Sequence, residues 1–495
     1  MTDQTAHTPT VLGEHACQLI PGGVTSSARQ FQPAIIFREA QGAILTDSDG
    51  NRYLDYHLAF GPILLGHNHP AVNARVVQAL QSAPLSGAGV TELEIELAHK
   101  IHQHVPCAEK VLLCTSGSEA VSSAIHVARA VTGRPKIIKF RGSYHGTYDS
   151  VLCDGRDPEG NVAQAPGKRE EISQSLGARA SRPLFEPSLE DRMAGETPAL
   201  PGALSQFGPA WAGMPPGVTE GTLTCTYNDL DEVERAFARH PEQVAAVLVE
   251  PIGHSLGCVL PKPGFLEGLR QLTSAHGAVL IFDEVITGFR HHLGGYQAIC
   301  GVTPDLATFG KAMANGFPMA AICGRAEIMD RFSARPGGDT YFAGTYHGHP
   351  AGCAAALATI EVLEREPVHE HIFRLGDRLR KGLTEIHQRL GTSATVAGFG
   401  SIFITYFAEG PIENHRDAPR NDASKFVEYH RRLIERGIFL MPVNLKRGHI
   451  SYAHTDADID RMLDATERAL LAMPTLGEVR RVQARQSSNE DVVQR

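Results

Sequence analysis

Short apolar runs alternate with longer amphipathic segments along the central part of this 495-residue chain. The runs at residues 111–113, 136–140, 245–249 and 278–282 are rich in Val, Ile and Leu, a pattern typical of buried strands. Because helical patterns separate these runs, we expect a mainly parallel sheet whose strands are joined by crossover helices. The chain is therefore predicted to be an α/β protein.

The most regular helix is predicted to follow Ser116. Serine is a favoured N-cap residue, and Glu119 at the third helical position completes a capping box. Gly133 then marks the C-terminal end, because glycine readily adopts the left-handed conformation that follows many helices. Apolar side chains recur between these ends at the i, i+3, i+4 and i+7 positions of one helix face: Val121, Ala124, Ile125 and Ala128.

The two ends of the chain differ from this centre. Residues 42–56 predict a hairpin around the Asp49-Gly50 turn. After Pro350 the pattern is helical to about Pro367 and then mixed. The expected units are an N-terminal segment at 1–58, a large domain at 59–353, a small α+β domain at 354–475 and a frayed tail at 476–495.

One segment interrupts the alternation. Residues 154–217 are rich in Pro, Gly, Ala and Arg and do not fit the order of strands and helices. A connection of about sixty residues is far longer than the loops of compact domains, so it is either an active-site lid or an inserted mobile segment. We favour an insertion into the large domain.

The composition is that of an ordinary globular protein, with 42% hydrophobic and 20% charged residues. The formal net charge of -9 gives no basic surface for nucleic acid or an anionic membrane, which favours a small-molecule substrate. No apolar run reaches the length of a membrane-spanning helix, and the N-terminus lacks a basic stretch followed by an apolar segment. We therefore expect a cytoplasmic protein.

The cysteines and histidines do not predict a metal centre. The nine cysteines are scattered without a Cys-x-x-Cys pair, which is typical of reduced thiols rather than of a disulfide framework or a structural zinc site. His99, His102 and His104 share one helical stretch but lack the spacing and the carboxylate of a catalytic zinc helix. We expect no metal ion.

The most informative pair of residues is Asp283, which closes the apolar run 278–282, and Lys311 on the following crossover. A carboxylate at the end of a parallel strand lies at the edge where α/β sheets bind ligands. Pyridoxal phosphate (PLP) requires an amine that holds its aldehyde as a Schiff base and an acid that keeps its ring nitrogen protonated. Either residue alone fits an ordinary strand cap or a solvated lysine, but together they predict a PLP site.

The start of the Ser116 helix predicts a phosphate site. The backbone N–H groups of Gly117 and Ser118 are expected to point away from the helix, with the positive end of its dipole behind them. Any serine-capped helix has this general form. The aromatic turn that follows the next predicted strand makes the assignment more specific.

That turn is Arg-Gly-Ser-Tyr-His-Gly at residues 141–146. Tyr144 offers a flat ring on which a pyridine can stack, and His145 is either an assisting group or a hydrogen-bonded structural residue. Glu250 brings a second carboxylate to the same predicted edge of the sheet. Val285 is either core or packs against the cofactor face opposite Tyr144.

Five motifs in this order resemble the class III, fold-type I PLP-dependent aminotransferases. They are Ser-Gly-Ser-Glu-Ala at 116–120, the Tyr-His-Gly turn at 144–146, Asp-Glu-Val-Ile-Thr-Gly-Phe-Arg at 283–290, Gly-Val-Thr-Pro-Asp-Leu-Ala-Thr-Phe-Gly-Lys at 301–311 and Ala-Gly-Thr-Tyr-His-Gly-His-Pro at 343–350. Within that family the nearest likeness is to the glutamate-1-semialdehyde 2,1-aminomutases. The resemblance implies a mainly parallel sheet flanked by helices in a large domain, and a small α+β domain built from the C-terminal part and the N-terminal segment.

The resemblance also implies residue roles. Lys311 corresponds to the Schiff-base lysine that also carries a proton, and Asp283 to the partner of the pyridine nitrogen. Tyr144 corresponds to the stacking ring, and Gly117 with Ser118 to the phosphate turn. Thr345 corresponds to a threonine that reaches the phosphate in the neighbouring subunit, so the implied active unit is a homodimer with shared sites.

Substrate-binding residues are implied at the N-terminus and beside the cofactor. Ser26 and Arg29 match a serine and an arginine that receive a substrate carboxylate, for which a planar guanidinium is well suited. Asn228 also lies in a family-like context. The chain departs from the mutases at two positions, with Phe60 in place of a tryptophan and Lys446 in place of a glutamate.

Three functions remain open at this point. The one we favour is ping-pong transfer of an amino group between an amino acid or amino-carboxylate donor and a carbonyl acceptor. The second is intramolecular transfer of the mutase type, for which the segment 154–217 leaves no short gating loop. The third is a catalytically silent binding protein with an aminotransferase fold, against which the intact Lys311 and Asp283 argue.

Overall fold

The computed structural model describes residues 9–32, 34–152, 157, 214, 215 and 217–473. Nearly all of the segment 154–217 and the whole of the tail 476–495 lie outside these residues, so the predictions of an insertion and of a frayed tail are not tested. Within the described part of the chain, no helix is both long and apolar enough to cross a membrane.

The strands of the described residues, in chain order, are β1 (Phe37–Gln41), β2 (Ile44–Asp47), β3 (Arg52–Asp55), β4 (Lys110–Cys114), β5 (Lys136–Phe140), β6 (Thr222–Cys225), β7 (Val244–Val249), β8 (Val279–Asp283), β9 (Leu306–Phe309), β10 (Ala320–Gly324), β11 (Thr395–Phe399), β12 (Ile402–Tyr406), β13 (Ile438–Phe439) and β14 (Gly448–His449).

The helices of the same residues are α1 (Pro9–Leu19), α2 (Pro70–Ser82), α3 (Glu92–His104), α4 (Gly117–Thr132), α5 (Asp149–Leu152), α6 (Leu230–Arg239), α7 (Phe265–His276), α8 (Gly295–Cys300), α9 (Ala326–Met329), α10 (Pro350–Arg365), α11 (Val368–Arg389), α12 (Ala423–Ile434) and α13 (Asp456–Leu471). Short 3-10 turns at Leu58–Phe60 and Lys311–Ala314 matter for the site.

The central sheet has the order β4-β10-β9-β8-β7-β5-β6. Strands β6, β5, β7, β8 and β9 pair in parallel, whereas β10 pairs antiparallel with both β9 and β4. Every residue of β7 and β8 is buried, as expected for parallel strands covered by helices on both faces. The predicted mainly parallel sheet is confirmed, although β6, β9 and β10 were not predicted as strands.

Helix α4 follows its sequence pattern closely. Ser116 is the N-cap residue in a capping box with Glu119, and Gly133 ends the helix at φ 68°. The four apolar side chains predicted to form one face are buried in a core layer that also contains Ile281 of β8. The predicted helix is therefore confirmed, and its packing fixes its N-terminus beside the central sheet.

A second sheet joins the two ends of the chain, in the order β1-β2-β3-β13. Strands β2 and β3 form the predicted hairpin, and β13 pairs in parallel with β3 through Ile438 and Leu54. A third sheet, β11-β12-β14, completes this region. Strands from the N-terminal segment and from the C-terminal part therefore share one sheet, whereas the expected division of the chain into domains stays a prediction.

Candidate active site

The predicted cofactor residues converge at the carboxyl edge of the central sheet. Asp283 ends β8, Glu250 follows β7, and Lys311 follows β9 after one glycine. These three strands are neighbours in the sheet, and β5, which leads into the Tyr144 turn, lies next to β7. Because parallel strands point the same way, their carboxyl ends bring these side chains to one place.

The Asp283 carboxylate is buried and held by three donors. Its Oδ2 lies 2.7 Å from His145 Nδ1, and its Oδ1 accepts from the backbone N–H of Val285 at 3.1 Å and from Thr308 Oγ1 at 3.3 Å. A carboxylate offers only acceptors, so Nδ1 of His145 carries the proton of that bond. The three bonds fix the direction of the carboxylate.

Glu250 organises the aromatic turn rather than the Asp283 carboxylate. Its Oε1 accepts from the Tyr144 backbone N–H at 3.3 Å and its Oε2 from the Ser255 backbone N–H at 3.1 Å. Burial raises the pKa of this carboxyl, and the nearby His145 opposes the shift. Glu250 therefore joins the 250–255 loop to the turn that presents Tyr144.

The Tyr144 ring stands at the open side of this arrangement and is 42% exposed. Burial, with a smaller contribution from Asp283, raises the pKa of its phenol. The phenol therefore stays neutral at ordinary pH, and the ring offers a flat apolar face at the mouth of the site. The stacking role of Tyr144 stays a prediction.

The predicted phosphate turn lies against the same wall. A Cβ added to Gly117 would lie 2.9 Å from both γ carbons of Val285, and one added to Gly146 would lie 2.7 Å from Ser118 Oγ. The start of α4, the Tyr144 turn and Val285 are therefore in close contact. A side chain at either glycine would obstruct these contacts.

Lys311 is the first residue of the 3-10 turn Lys311–Ala314 and has a positive φ of 43°, which is uncommon for a residue other than glycine. Burial lowers the pKa of its amine to about 8, the charge of Asp283 opposes this shift, and the charge of Arg447 adds to it. A substantial fraction of the amine is therefore neutral near pH 8, as attack on an aldehyde requires.

The predicted substrate-binding residues lie in different surroundings. Ser26 and Arg29 are exposed, and the Arg29 guanidinium donates to Thr25 Oγ1 at 3.4 Å. Thr345 is exposed in the single chain. Phe60 packs against His57, with 4.4 Å between the ring centroids.

Asn228 has a structural position. Its amide donates to the carbonyl oxygens of Leu260 and Glu413, both at 3.0 Å, and accepts from the Lys262 backbone N–H at 2.8 Å. These bonds tie three loop segments together. We therefore do not include Asn228 among the proposed substrate-binding residues.

Two residues of the site were missed from the sequence. Thr308 was not predicted as a site residue, yet it lies opposite Asp283 in the β8–β9 register and donates to it. Arg447 was overlooked although it follows Lys446. The contact between Thr308 and Asp283 follows from the register of β8 and β9. The position of Arg447 depends instead on how the distant loop between β13 and β14 packs against the sheet.

The residues at this sheet edge fit PLP. A buried lysine with a depressed pKa, a carboxylate fixed by three donors, a partly exposed aromatic ring and a helix N-terminus match the aldehyde, ring nitrogen, ring face and phosphate of that molecule. Ser143 Oγ and His145 Nε2 are buried and have no hydrogen-bond partner among the described residues. These orphaned polar atoms are consistent with a polar ligand at this position.

Comparisons with known proteins agree with this chemistry. The sequence profile described as Aminotransferase class-III matches residues 25–191 and 204–470. A glutamate-1-semialdehyde 2,1-aminomutase from Desulforudis audaxviator (strain MP104C) is 38% identical over 458 residues, which cover 92% of this chain and 95% of the relative.

Solved structures of transaminases are also similar to this chain. An omega-transaminase from Sphaerobacter thermophilus has a TM-score of 0.79 and 31% identity, covering 94% of this chain and 98% of its own. A transaminase with PLP bound has a TM-score of 0.77 and 27% identity, covering 93% of this chain and 96% of its own.

The fold and the site together define an enzyme of the fold-type I transferase class. The chain belongs to the class III aminotransferase family, whose members are PLP-dependent aminotransferases and aminomutases.

Proposed function

We propose that this enzyme binds PLP at the carboxyl edge of the central sheet and transfers an amino group between an amino-carboxylate donor and a carbonyl acceptor in a ping-pong reaction. The observation that carries the proposal is the convergence of Lys311, whose pKa is lowered to about 8, with the fixed carboxylate of Asp283. When bound, PLP supplies an electron sink for the substrate carbon that loses its proton.

The chain's own residues would orient that cofactor. Asp283 would contact the ring nitrogen, Tyr144 and Val285 would cover the two ring faces, and the backbone N–H groups of Gly117 and Ser118 would receive the phosphate. His145 would hold Asp283 in position. The position of these side chains and amides near the carboxyl edge of the sheet supports each assignment.

Lys311 would also move the proton. Its Nζ is the basic group at the end of β9, and a neutral amine can take the proton from the substrate carbon next to the amino group and return it to the cofactor side. Burial supports this role because it lowers the pKa of the amine to about 8. The charge of Asp283 opposes that shift, and the charge of Arg447 adds to it.

We also propose a homodimer in which Thr345 reaches the phosphate bound by the partner subunit. Thr345 is exposed in the single chain, between Tyr341 and Tyr346, which are 90% and 61% exposed. Apolar side chains of α2 and α3 are exposed as well, including Leu80 at 60% and Ile95 at 57%. Exposed aromatic and apolar groups of this kind are typical of a surface covered by another subunit.

A second candidate function is an intramolecular aminomutase, favoured by the 38% identity to the Desulforudis enzyme over 95% of its length. We rank it second because Lys446 replaces an acidic residue beside the predicted substrate site. The single-turnover experiment is to mix PLP-loaded enzyme with one donor at a time and to measure free keto product and pyridoxamine phosphate.

Amino transfer predicts stoichiometric keto product with suitable donors. If no donor yields keto product while glutamate 1-semialdehyde is isomerised, the mutase function replaces our proposal. A silent binding protein would differ from both, because it would give neither reaction and borohydride would attach no PLP to Lys311.

A further inference from the structure

The short turn that begins at Lys311 has an uncommon backbone conformation at both of its ends. Lys311 has φ 43°, and Asn315, which directly follows the 3-10 turn Lys311–Ala314, has φ 45°. Asparagine tolerates this left-handed region, whereas it is uncommon for lysine. Such strain persists only where the surrounding structure holds it. The contacts of this turn therefore bear on how the Lys311 amine is presented.

The Asn315 side chain ties the turn to residues 61–66, a segment that follows β3. Its Oδ1 accepts from the backbone N–H groups of Leu64 and Leu65 at 2.9 and 2.8 Å. Its Nδ2 donates to the carbonyl oxygen of Gly66 at 3.0 Å. Asn315 is only 6% exposed, and loss of a hydrogen bond inside a protein leaves a buried polar group without a partner. The three bonds therefore hold the two segments in one arrangement.

A second contact joins the same two segments. Gly316, the residue after Asn315, has φ 98°, and a Cβ added to it would lie 2.6 Å from Ile63 Cδ1. The backbone that leaves the turn therefore lies directly against the Ile63 side chain. This close approach is independent of the hydrogen bonds of Asn315 and places the turn at the same part of the segment.

Residues 61–66 are also anchored to other parts of the chain. The carbonyl oxygen of Leu64 accepts from the backbone N–H of Tyr452 at 2.8 Å. The carbonyl oxygen of Gly61 accepts from Nε of Arg290 at 3.1 Å, and Arg290 is fully buried in the loop that follows β8. Because neither bond involves Asn315, the segment is a fixed support for the turn.

We propose that Asn315 is a positioning residue for Lys311, because it holds the turn on residues 61–66 and so sets the direction from which the amine approaches PLP. The inference rests on the proposed function of Lys311. In that attack the amine nitrogen bonds to the aldehyde carbon, and the aldehyde oxygen leaves as water with the two amine protons. Misplacing the reacting group by about 1 Å can cost about 100-fold in rate.

The test separates attachment of the cofactor from its binding. Pyridoxamine phosphate carries an amine in place of the aldehyde, so it cannot attach to Lys311 and its Kd reports only the contacts of its ring and phosphate. PLP capture by full-length enzyme freed of cofactor requires the Lys311 amine as well. Stopped-flow absorbance at saturating PLP gives the maximal rate of capture, and calorimetry gives the Kd of pyridoxamine phosphate.

Asn315→Gly keeps the left-handed backbone and removes all three hydrogen bonds of the side chain. We expect it to lower the maximal rate of PLP capture about 10- to 100-fold, with the Kd of pyridoxamine phosphate changed less than about twofold. Asn315→Asp keeps the acceptor for Leu64 and Leu65 but loses the donor to Gly66. Its rate should therefore fall between those of the wild type and of Asn315→Gly.

Asn421→Ala is the matched control. Asn421 is 7% exposed, and its Oδ1 accepts from the backbone N–H of Phe407 at 2.7 Å. Among the described residues it forms no hydrogen bond to the Lys311 turn or to residues 61–66. This variant also loses a buried amide, yet it should capture PLP at the wild-type rate.

The positioning role is refuted if Asn315→Gly captures PLP at the wild-type rate, or if its affinity for pyridoxamine phosphate falls by the same factor as the rate. If Asn315→Gly fails to fold, a wild-type rate in Asn315→Asp refutes the role instead. Failure of the proposed function is seen in the wild type, which would then convert no bound PLP to pyridoxamine phosphate with any donor.

Discussion

Nδ1 of His145 lies 2.7 Å from Oδ2 of Asp283, and both side chains are buried. His145 lies in the turn that follows β5 and Asp283 ends β8, and β7 lies between these two strands in the central sheet. This bond determines the direction in which the carboxylate faces the proposed cofactor. Its removal therefore tests whether orientation of Asp283 matters for catalysis.

We expect His145→Ala to lower the rate of the amino-transfer half-reaction about 10- to 100-fold, the effect of losing one hydrogen bond to a charged group. His145→Asn retains a donor and should recover part of the loss. Stopped-flow absorbance of bound PLP measures the rate. Rates equal to wild type in His145→Ala would show that Asp283 needs no such support.

Lys311→Ala should abolish both the covalent attachment of PLP and its reaction with donors, because no other lysine of the described residues follows β9 directly. Lys381, which is 79% exposed on α11, provides the control, and Lys381→Ala should behave like the wild type. Borohydride reduction followed by peptide mass spectrometry locates the attached cofactor. Attachment to another lysine would contradict the assignment of the site.

The pKa of about 8 for Lys311 predicts a pH dependence for PLP capture by cofactor-free enzyme. A lowered lysine pKa favours the neutral amine, so the rate should rise mainly between about pH 7 and 9 and level off above that range. With an ordinary lysine, whose pKa is near 10.5, the rate of PLP capture would continue to rise above that pH range.

Arg447→Met should move the midpoint upward, because the charge of Arg447 contributes to the depression. Stopped-flow absorbance across a pH series gives the midpoint. A midpoint near that of a free lysine in wild-type enzyme would contradict the assigned environment.

Gly117→Ala tests the phosphate turn. The new Cβ would lie 2.9 Å from both γ carbons of Val285, so Val285, which is proposed to cover one face of the cofactor ring, would have to move. We expect weaker PLP retention on dialysis with little loss of thermal stability, since alanine is favoured over glycine within a helix by about 0.5–1 kcal/mol.

Two companion variants sharpen this experiment. Gly13→Ala on α1 is the control, because nothing lies within 4 Å of its added Cβ. The double variant Gly117→Ala with Val285→Ala should recover part of the retention, since it relieves the overlap. Unchanged PLP retention in Gly117→Ala would remove this turn from the cofactor site.

Shared sites in a homodimer predict complementation between two inactive variants. Lys311→Ala lacks the amine, and Thr345→Arg would obstruct the partner's phosphate. A mixed dimer would contain one site with an intact Lys311 and an intact Thr345, so activity should reappear when the two variants are unfolded and refolded together. No recovery in a verified mixed dimer would place Thr345 outside the partner's site.

Several strands, one helix and the two main candidate cofactor residues could be predicted from the sequence. Strands β5, β7 and β8 and helix α4 are visible as apolar patterns because each buries a regular face, and the cap residues Ser116 and Gly133 are determined by the geometry of a single helix. Asp283 and Lys311 were found because strand ends in a parallel sheet lie at one edge. The short strand β9 and the antiparallel β10 were missed, since they carry few β-branched residues.

The tertiary structure decided what no local pattern encodes. His145 meets Asp283, and Lys446 meets Phe60 across 386 positions of the chain, because the central sheet and the β13–β14 loop bring distant segments together. Asn228 ties three loop segments together for the same reason. Sequence determines which elements form, through periodicity and capping, whereas the pairing of charges across the site depends on how those elements pack.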